Sequence, residues 1–357
     1  MLRKRRIRRA LPGAMAALLL CATGYWYVSG ARWPRPAAEP TAAEVVDAFE
    51  AADGPHPGFR RNHAKGICVT GSFESGGGAM PVSTANVFRA GSMPVIGRFS
   101  IPGGDPAMAD GATNLRSLAL WIMPPHGPPW GMAMNSVPVF PFRTAQDQLD
   151  FLRAMRADRR AGRSGTMQRY VISHPGARAF LDWIHTHRAP SDYGDATYYS
   201  VSAFRFIGGQ GQARDGRWRL VPETPFRPLP EATASDPDFL SFDLVRRLSQ
   251  GPLRWRLVIS MAMPGDAVDD ATQLWPQRPG RVEVDAGTLI IERAESQIDG
   301  PCRDIDFNPL ALPDGIAPSD DPLLRARQAA YAESSRRRLR EAHGDGKAGA
   351  QGGGAEE

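Results

Sequence analysis

The sequence predicts an α+β protein, and three observations predict it. Alternating or wholly apolar runs read as strands at Ile67 to Phe73, Val95 to Ile101, Leu115 to Met123, Tyr198 to Ile207, Arg254 to Met263 and Gly287 to Ala294. Helical signals fall in separate blocks. Thr41-Ala-Ala-Glu44 is a capping box ahead of Val45, Val46 and Phe49, and apolar faces of helical period recur over Gln148 to Met155, Ala177 to His185 and Pro237 to Leu248. Finally, 357 residues of which 42% are apolar suffice for a substantial core.

The chain opens with a basic run holding Arg3, Lys4, Arg5, Arg6, Arg8 and Arg9. Taking these six from the formal net charge of +5 leaves −1, so nucleic-acid binding by the body has no electrostatic support. Ala10 to Val28 is apolar and ends in Tyr25-Trp26-Tyr27. As a helix it would be about 28 Å long, near the thickness of a bilayer's hydrocarbon core. Residues 1–31 are therefore expected to be a basic leader with a signal or transmembrane anchor, oriented with its N-terminus in the cytoplasm. The body is then expected on the periplasmic side of the inner membrane, either anchored through residues 10–28 or released by cleavage. The paired arginines also permit twin-arginine export. Residues 32–40, rich in Pro and Ala, read as a linker, 41–340 as the folded domain and the Gly-rich 341–357 as a disordered tail.

Near the C-terminus, Arg327, Tyr331, Ser335 and Arg338 share one helical face, which sets a phenol between two guanidiniums. A cation nearby favours the ionised form of a phenol, and phenolate is a hard ligand suited to ferric iron. The alternative is an arginine-rich surface helix with one amphipathic tyrosine. His63, just before a strand, is either a satisfied structural histidine or a proton shuttle. Ser100 is either a polar strand residue or a hydroxyl that fixes an imidazole tautomer. Asn135 falls in what reads as a loop, where it either satisfies its own backbone or offers its amide to a ligand. Met93, Met108, Met123, Met132 and Met134 lack ligand spacing and read as core packing rather than a copper site. On a helix, His185-Thr-His187 points its rings apart. Cys68 and Cys302 are either one disulfide or two buried thiols.

In this order, Arg60-x-x-His63-Ala-Lys-Gly66, Arg98-Phe-Ser100, Trp130-x-x-x-x-Asn135-x-x-Pro138-x-Phe140 and Arg327-x-x-x-Tyr331-x-x-x-x-x-x-Arg338 resemble the successive landmarks of the haem catalases. The likeness is strongest to the short branch of catalase-related peroxidases, and it continues through Ala203 to Phe206 and Phe307 to Ser319. It spans about residues 46 to 340. The resemblance implies a catalase-like antiparallel β-barrel with surrounding helices, a minimal core without the C-terminal helical or flavodoxin-like domain, and a monomer or dimer. It assigns His63 and Asn135 as the catalytic pair above the haem, with Ser100 as partner of His63 and Phe140 as a wall. Tyr331 becomes the iron ligand, as tyrosine is in catalases, with Arg327 beside its oxygen. Arg60, Arg98 and Arg338 match arginines that hold haem propionates, a pairing suited to bidentate, charge-assisted contacts. The cofactor implied is haem b. With no Cys-x-x-Cys-His motif it is expected to be held non-covalently.

There are departures. Asn62 replaces an apolar valine of the long catalases and is expected to compete for His63 or for bound peroxide. Asn114 replaces a channel aspartate, and Ser335 stands where many members have histidine. The activity implied is a haem peroxidase reducing hydrogen peroxide or organic hydroperoxides with an external electron donor, with weak catalase activity beside it. The alternatives are a hydroperoxide isomerase or dehydratase of the allene oxide synthase type, and a non-enzymatic haem-binding protein.

Overall fold

The computed structural model describes residues 38–163 and 165–342. The basic leader, its apolar stretch, Cys21 and the Gly-rich tail lie outside the described residues. Among those described, no helix is long and apolar enough to cross a membrane.

The first element is α1 (Ala42–Asp53), and its capping box is present: the Glu44 N–H donates to Thr41 Oγ1 at 3.2 Å and the Thr41 N–H to Glu44 Oε2 at 2.8 Å. Ten strands follow: β1 (Gly66–Ser75), β2 (Gly91–Ser100), β3 (Ser117–Ile122), β4 (Trp130–Asn135), β5 (Tyr198–Tyr199), β6 (Phe204–Ile207), β7 (Ala213–Pro222), β8 (Leu253–Met261), β9 (Glu283–Ser296) and β10 (Ile316–Pro318). Eight of them close into an antiparallel barrel in the order β7-β5-β4-β3-β2-β1-β9-β8, with β8 returning to β7; β6 and β10 extend from an edge of β7. Closure pairs the strand edges that an open sheet would leave bare. Helices α2 (Ala145–Ala161), α3 (Gly165–Ser173) and α4 (Ala177–Thr186) sit between β4 and β5, α5 (Glu231–Ala234) and α6 (Phe239–Leu248) between β7 and β8, and α7 (Pro322–Ala342) ends the described chain.

Several elements differ from the sequence reading, three of them instructively. Trp130 to Asn135 is a strand rather than a loop. Its first five residues are all buried, and a strand covered on both faces shows no period of two. Tyr198 to Ile207 is two short strands, broken at Val201, whose φ of 64° is left-handed and incompatible with a ladder. β7 carries arginines alternating with Gly216, Trp218 and Leu220, so its charge hides a valid alternation.

The barrel interior is filled by aromatic and aliphatic side chains, among them Phe88 and Trp130 edge to face at 5.4 Å, and Trp130 and Trp218 at 4.9 Å. On β3 and β4, Leu118, Leu120, Met132 and Met134 belong to this core. The alternating period then puts Ser117, Ala119, Ala133 and Asn135 on the outer face. Small residues there leave room outside the barrel wall.

Two devices fasten that outer face. Arg61, 7% exposed, donates to Glu50 of α1 at 2.5 Å and to both carboxylate oxygens of Glu341 on α7, while its N–H donates to Ser334 of α7. Second, Cys68 and Cys302 form a disulfide, which settles the alternative left open by the sequence. Around it cluster Phe307, with Ile96, Ala119, Trp121, Ile305 and Tyr331 packed against it.

The disulfide closes a loop of 234 residues, so its loss enlarges the unfolded ensemble considerably. Cys302→Ala should lower unfolding stability by about 2–5 kcal/mol in urea denaturation. An unchanged midpoint would show that the cluster alone holds this face.

Candidate functional site

Loop geometry places His63. Its φ is 60°, a left-handed conformation that strains a non-glycine residue by about 1–3 kcal/mol. Asn62 holds it there, because the Asn62 Oδ1 accepts from the His63 N–H at 2.9 Å and from the Gly103 N–H at 2.9 Å, and the Ala64 N–H donates to the Gly103 carbonyl at 2.8 Å. The Asn62 oxygen is thus engaged by backbone, and the side chain lines the same cavity as His63. Ser100 Oγ lies 3.5 Å from His63 Nδ1, a long contact on the side the resemblance implies. Burial, then the charges of Arg98 and Arg327, push the His63 ring down to about 3, so it is neutral near pH 7.

The nine residues to which the resemblance assigns a catalytic or haem-binding role line one cavity of about 610 Å³: Arg60, His63, Arg98, Ser100 and Asn135 on one set of elements, with Phe140, Arg327, Tyr331 and Arg338. Asn135, the last residue of β4, accepts from Ser117 Oγ at 2.7 Å, which leaves its amide N–H groups as donors. Arg327, 8% exposed, donates to the Ala133 carbonyl at 3.2 Å and lies over the rings of Phe140 at 5.1 Å and Tyr331 at 6.0 Å. It meets the ring of Tyr331 rather than donating to its oxygen. Ser335 is buried and accepts from Arg338 at 3.5 Å. Asn114 lines a neighbouring cavity, which shares Val137 and Ile184 with the first.

The cavity's arginines are unusual. Arg98 and Arg338 are 2% and 5% exposed, and neither they nor Arg60 forms an ion pair among the described residues. Arg98 donates to the Ala64 carbonyl at 3.1 Å and to Gln297, and Arg60 to the carbonyls of Cys302 and Ile305, each at 3.0 Å. The Nε atoms of Arg98 and Arg338 have no partner among the described residues. Burial pushes Arg98 down to about 10, and Arg60 falls well below its usual value through burial and then the like charges of Arg98 and Arg338. Gly66 makes this arrangement possible, since a Cβ there would meet the Phe99 carbonyl oxygen at 2.3 Å and the Arg98 guanidinium carbon at 2.6 Å.

Asp306 lines the same cavity and its charge acts on Arg60 and Arg338 without an ion pair to either; guanidiniums buried with no paired carboxylate among the described residues fit a ligand that brings its own anions. Tyr331, whose phenol has no hydrogen bond among the described residues, supplies a hard oxygen donor in the same cavity. The small outer residues Ser117, Ala119 and Ala133 of β3 and β4 line the same cavity. These features fit a flat, dicarboxylate iron porphyrin. Gln297 and Arg61 carry no signal in the sequence, because each acts through a partner far away in the chain.

Residues 46–345 match the catalase family profile. A catalase-related peroxidase of Synechococcus elongatus is 33% identical over 304 residues, covering 84% of this chain and 89% of the relative. One from Mycolicibacterium paratuberculosis is 30% identical over 299 residues, covering 82% of this chain and 93% of its own length. Among solved structures, a fungal catalase superposes with a TM-score of 0.70 at 20% identity, covering 87% of this chain and 67% of its own, and catalase A from Saccharomyces cerevisiae with 0.70 at 19%, covering 95% and 68%. These two structures share the fold. With the profile spanning most of the chain and the site residues converging on one cavity, the chain belongs to the catalase family, and that membership implies haem.

Proposed function

We propose that the protein is a haem peroxidase that reduces hydrogen peroxide or an organic hydroperoxide at the expense of an external electron donor. The observation that carries this reading is the convergence of Tyr331, neutral His63 and unpaired arginines on one cavity, in a chain 33% identical to a catalase-related peroxidase. Reduction of a hydroperoxide consumes two electrons and two protons and yields an alcohol, or water from hydrogen peroxide, together with one water.

Tyr331 would hold the iron, and Arg60, Arg98 and Arg338 the propionates. A haem held non-covalently, such as haem b, fits best, because Cys68 and Cys302 are joined to each other and no free thiol stands beside the cavity among the described residues. The bound haem supplies the redox centre at which the O–O bond is broken. His63, neutral and buried, accepts the proton of the incoming hydroperoxide and returns it to the departing oxygen. Asn135 offers its amide to the peroxide oxygens, and Ser100 holds the far side of the imidazole. The disulfide supports an exported body, since such bonds persist in oxidising compartments. That agrees with a periplasmic location behind the basic leader.

His63→Ala should keep its haem and lose the peroxide reaction by about a hundredfold or more in stopped-flow measurements. A variant as fast as the parent would remove His63 from proton transfer. Tyr331→Phe should load less iron porphyrin and change its absorption spectrum, so an unaltered spectrum argues against phenolate ligation. The depressed value of His63 also sets the pH behaviour. Its folded value lies below the unfolded one of 6.5, so the associated stability is complete above that pH and is lost as pH falls toward about 3. The peroxide reaction should accordingly stay level between about pH 5 and 8, with no inflection at the ordinary histidine value. A clear step there would mean that the ring titrates in the working enzyme.

A further inference from the structure

Arg98 lines the cavity, but the side chain that holds it does not. Gln297 follows the last residue of β9, Ser296, which pairs with Ile67 beside Gly66. Its Oε1 accepts from the Arg98 guanidinium, and its Nε2 donates to the Ala64 carbonyl at 3.1 Å. Arg98 donates to that same carbonyl at 3.1 Å. Guanidinium, amide and carbonyl therefore close a ring of three hydrogen bonds, and the carbonyl belongs to the residue after His63.

An amide completes this ring without adding charge. The side chain at 297 accepts from a cation on one side and donates to a carbonyl on the other, whereas an ionised carboxylate only accepts and a lysine or arginine only donates. A glutamate has the same length and would pair with Arg98 through a charge-assisted contact. The chain does place carboxylates two residues to either side, at Glu295 and Asp299, and both are exposed. Asp306, which lines the cavity, acts on Arg60 and Arg338 and forms no ion pair with Arg98. Arg98 is thus fixed in place by neutral partners, and the counter-charge that a buried cation needs is left to a ligand.

We propose that Gln297 is a positioning residue that aims Arg98 while leaving its charge unpaired, and so sets the selectivity of the site for a porphyrin that carries carboxylates. The inference rests on the haem reading and deepens it. A carboxylate at 297 would satisfy Arg98 from within the protein. The cofactor would then have to displace that carboxylate or leave its own buried and unpaired, and either outcome lowers the preference for a charged porphyrin over a neutral one.

The test is a binding titration of the full chain, freed of cofactor, followed by absorption. The probes are iron protoporphyrin IX and its dimethyl ester, in which both carboxylates are blocked. The parent should bind the diacid more tightly than the ester by about tenfold or more. In Gln297→Glu that ratio should fall by about tenfold, because Arg98 then has an internal partner. A side chain that only supports the fold would weaken both porphyrins alike and leave the ratio where it was. If Gln297→Glu does not fold, Gln297→Met replaces it, keeping the length and removing the amide. There the ratio should fall by about threefold, since the guanidinium is no longer held. A folded variant with the parent's ratio overturns the inference. So does a parent that binds diacid and ester equally well, whereas a parent that binds neither porphyrin overturns the haem reading with it.

Discussion

Positive charge held out of water with no ion pair among the described residues is the constraint on which the rest of this site depends. A guanidinium taken from solvent loses hydration worth several kcal/mol, and only a partner of opposite charge restores most of it. In this cavity Arg98 and Arg338 are almost wholly buried and their Nε atoms are unpartnered. The protein meets the hydrogen-bonding needs of Arg98 with the Ala64 carbonyl and Gln297 and those of Arg338 with Ser335, and gives neither an ion pair among the described residues. Everything nearby serves that arrangement. Gly66 gives Arg98 its space, Ala119 and Ala133 keep the barrel wall low, and the cluster around the disulfide carries the backbone carbonyls that steady Arg60.

The same field acts on the other side of the chemistry. Arg98 and Arg327 reinforce the effect of burial in keeping the His63 ring neutral, which is the state a proton acceptor needs. Its left-handed backbone is a local strain that Asn62 holds in place through two N–H groups. A valine in place of Asn62 would leave those two groups without their acceptor. The polar residue is thus part of how this chain aims its histidine.

Much of this was legible beforehand, for identifiable reasons. The four motifs name side chains whose chemistry is unusual for their spacing, and all nine residues they point to line one cavity. The capping box at Thr41 was legible because a cap is a contact over three residues. What stayed hidden depends on distant pairings. β4 reads as a loop because burial on both faces erases alternation, and Val201 breaks a continuous apolar run by a backbone angle that composition does not encode. Arg61 looks like one more surface arginine until α1 and α7 bring Glu50 and Glu341 to it. The pairing of Cys68 with Cys302, 234 residues apart, likewise required the barrel to close.

That pairing also sets where the two sides of the site are hung. His63 lies five residues before Cys68 on the N-terminal branch, and Tyr331 lies 29 residues after Cys302 on the C-terminal branch. At the bond the two branches are 5.3 Å apart from Cα to Cα. Both jaws that would close on the porphyrin therefore leave the barrel from one covalent pivot, with the whole barrel sequence looped between them. Arg61 joins the same jaws again beyond the site, through Glu341 and Ser334. The gap between iron ligand and proton shuttle is thus braced from both ends, and a loosened barrel strand elsewhere has little leverage to widen it.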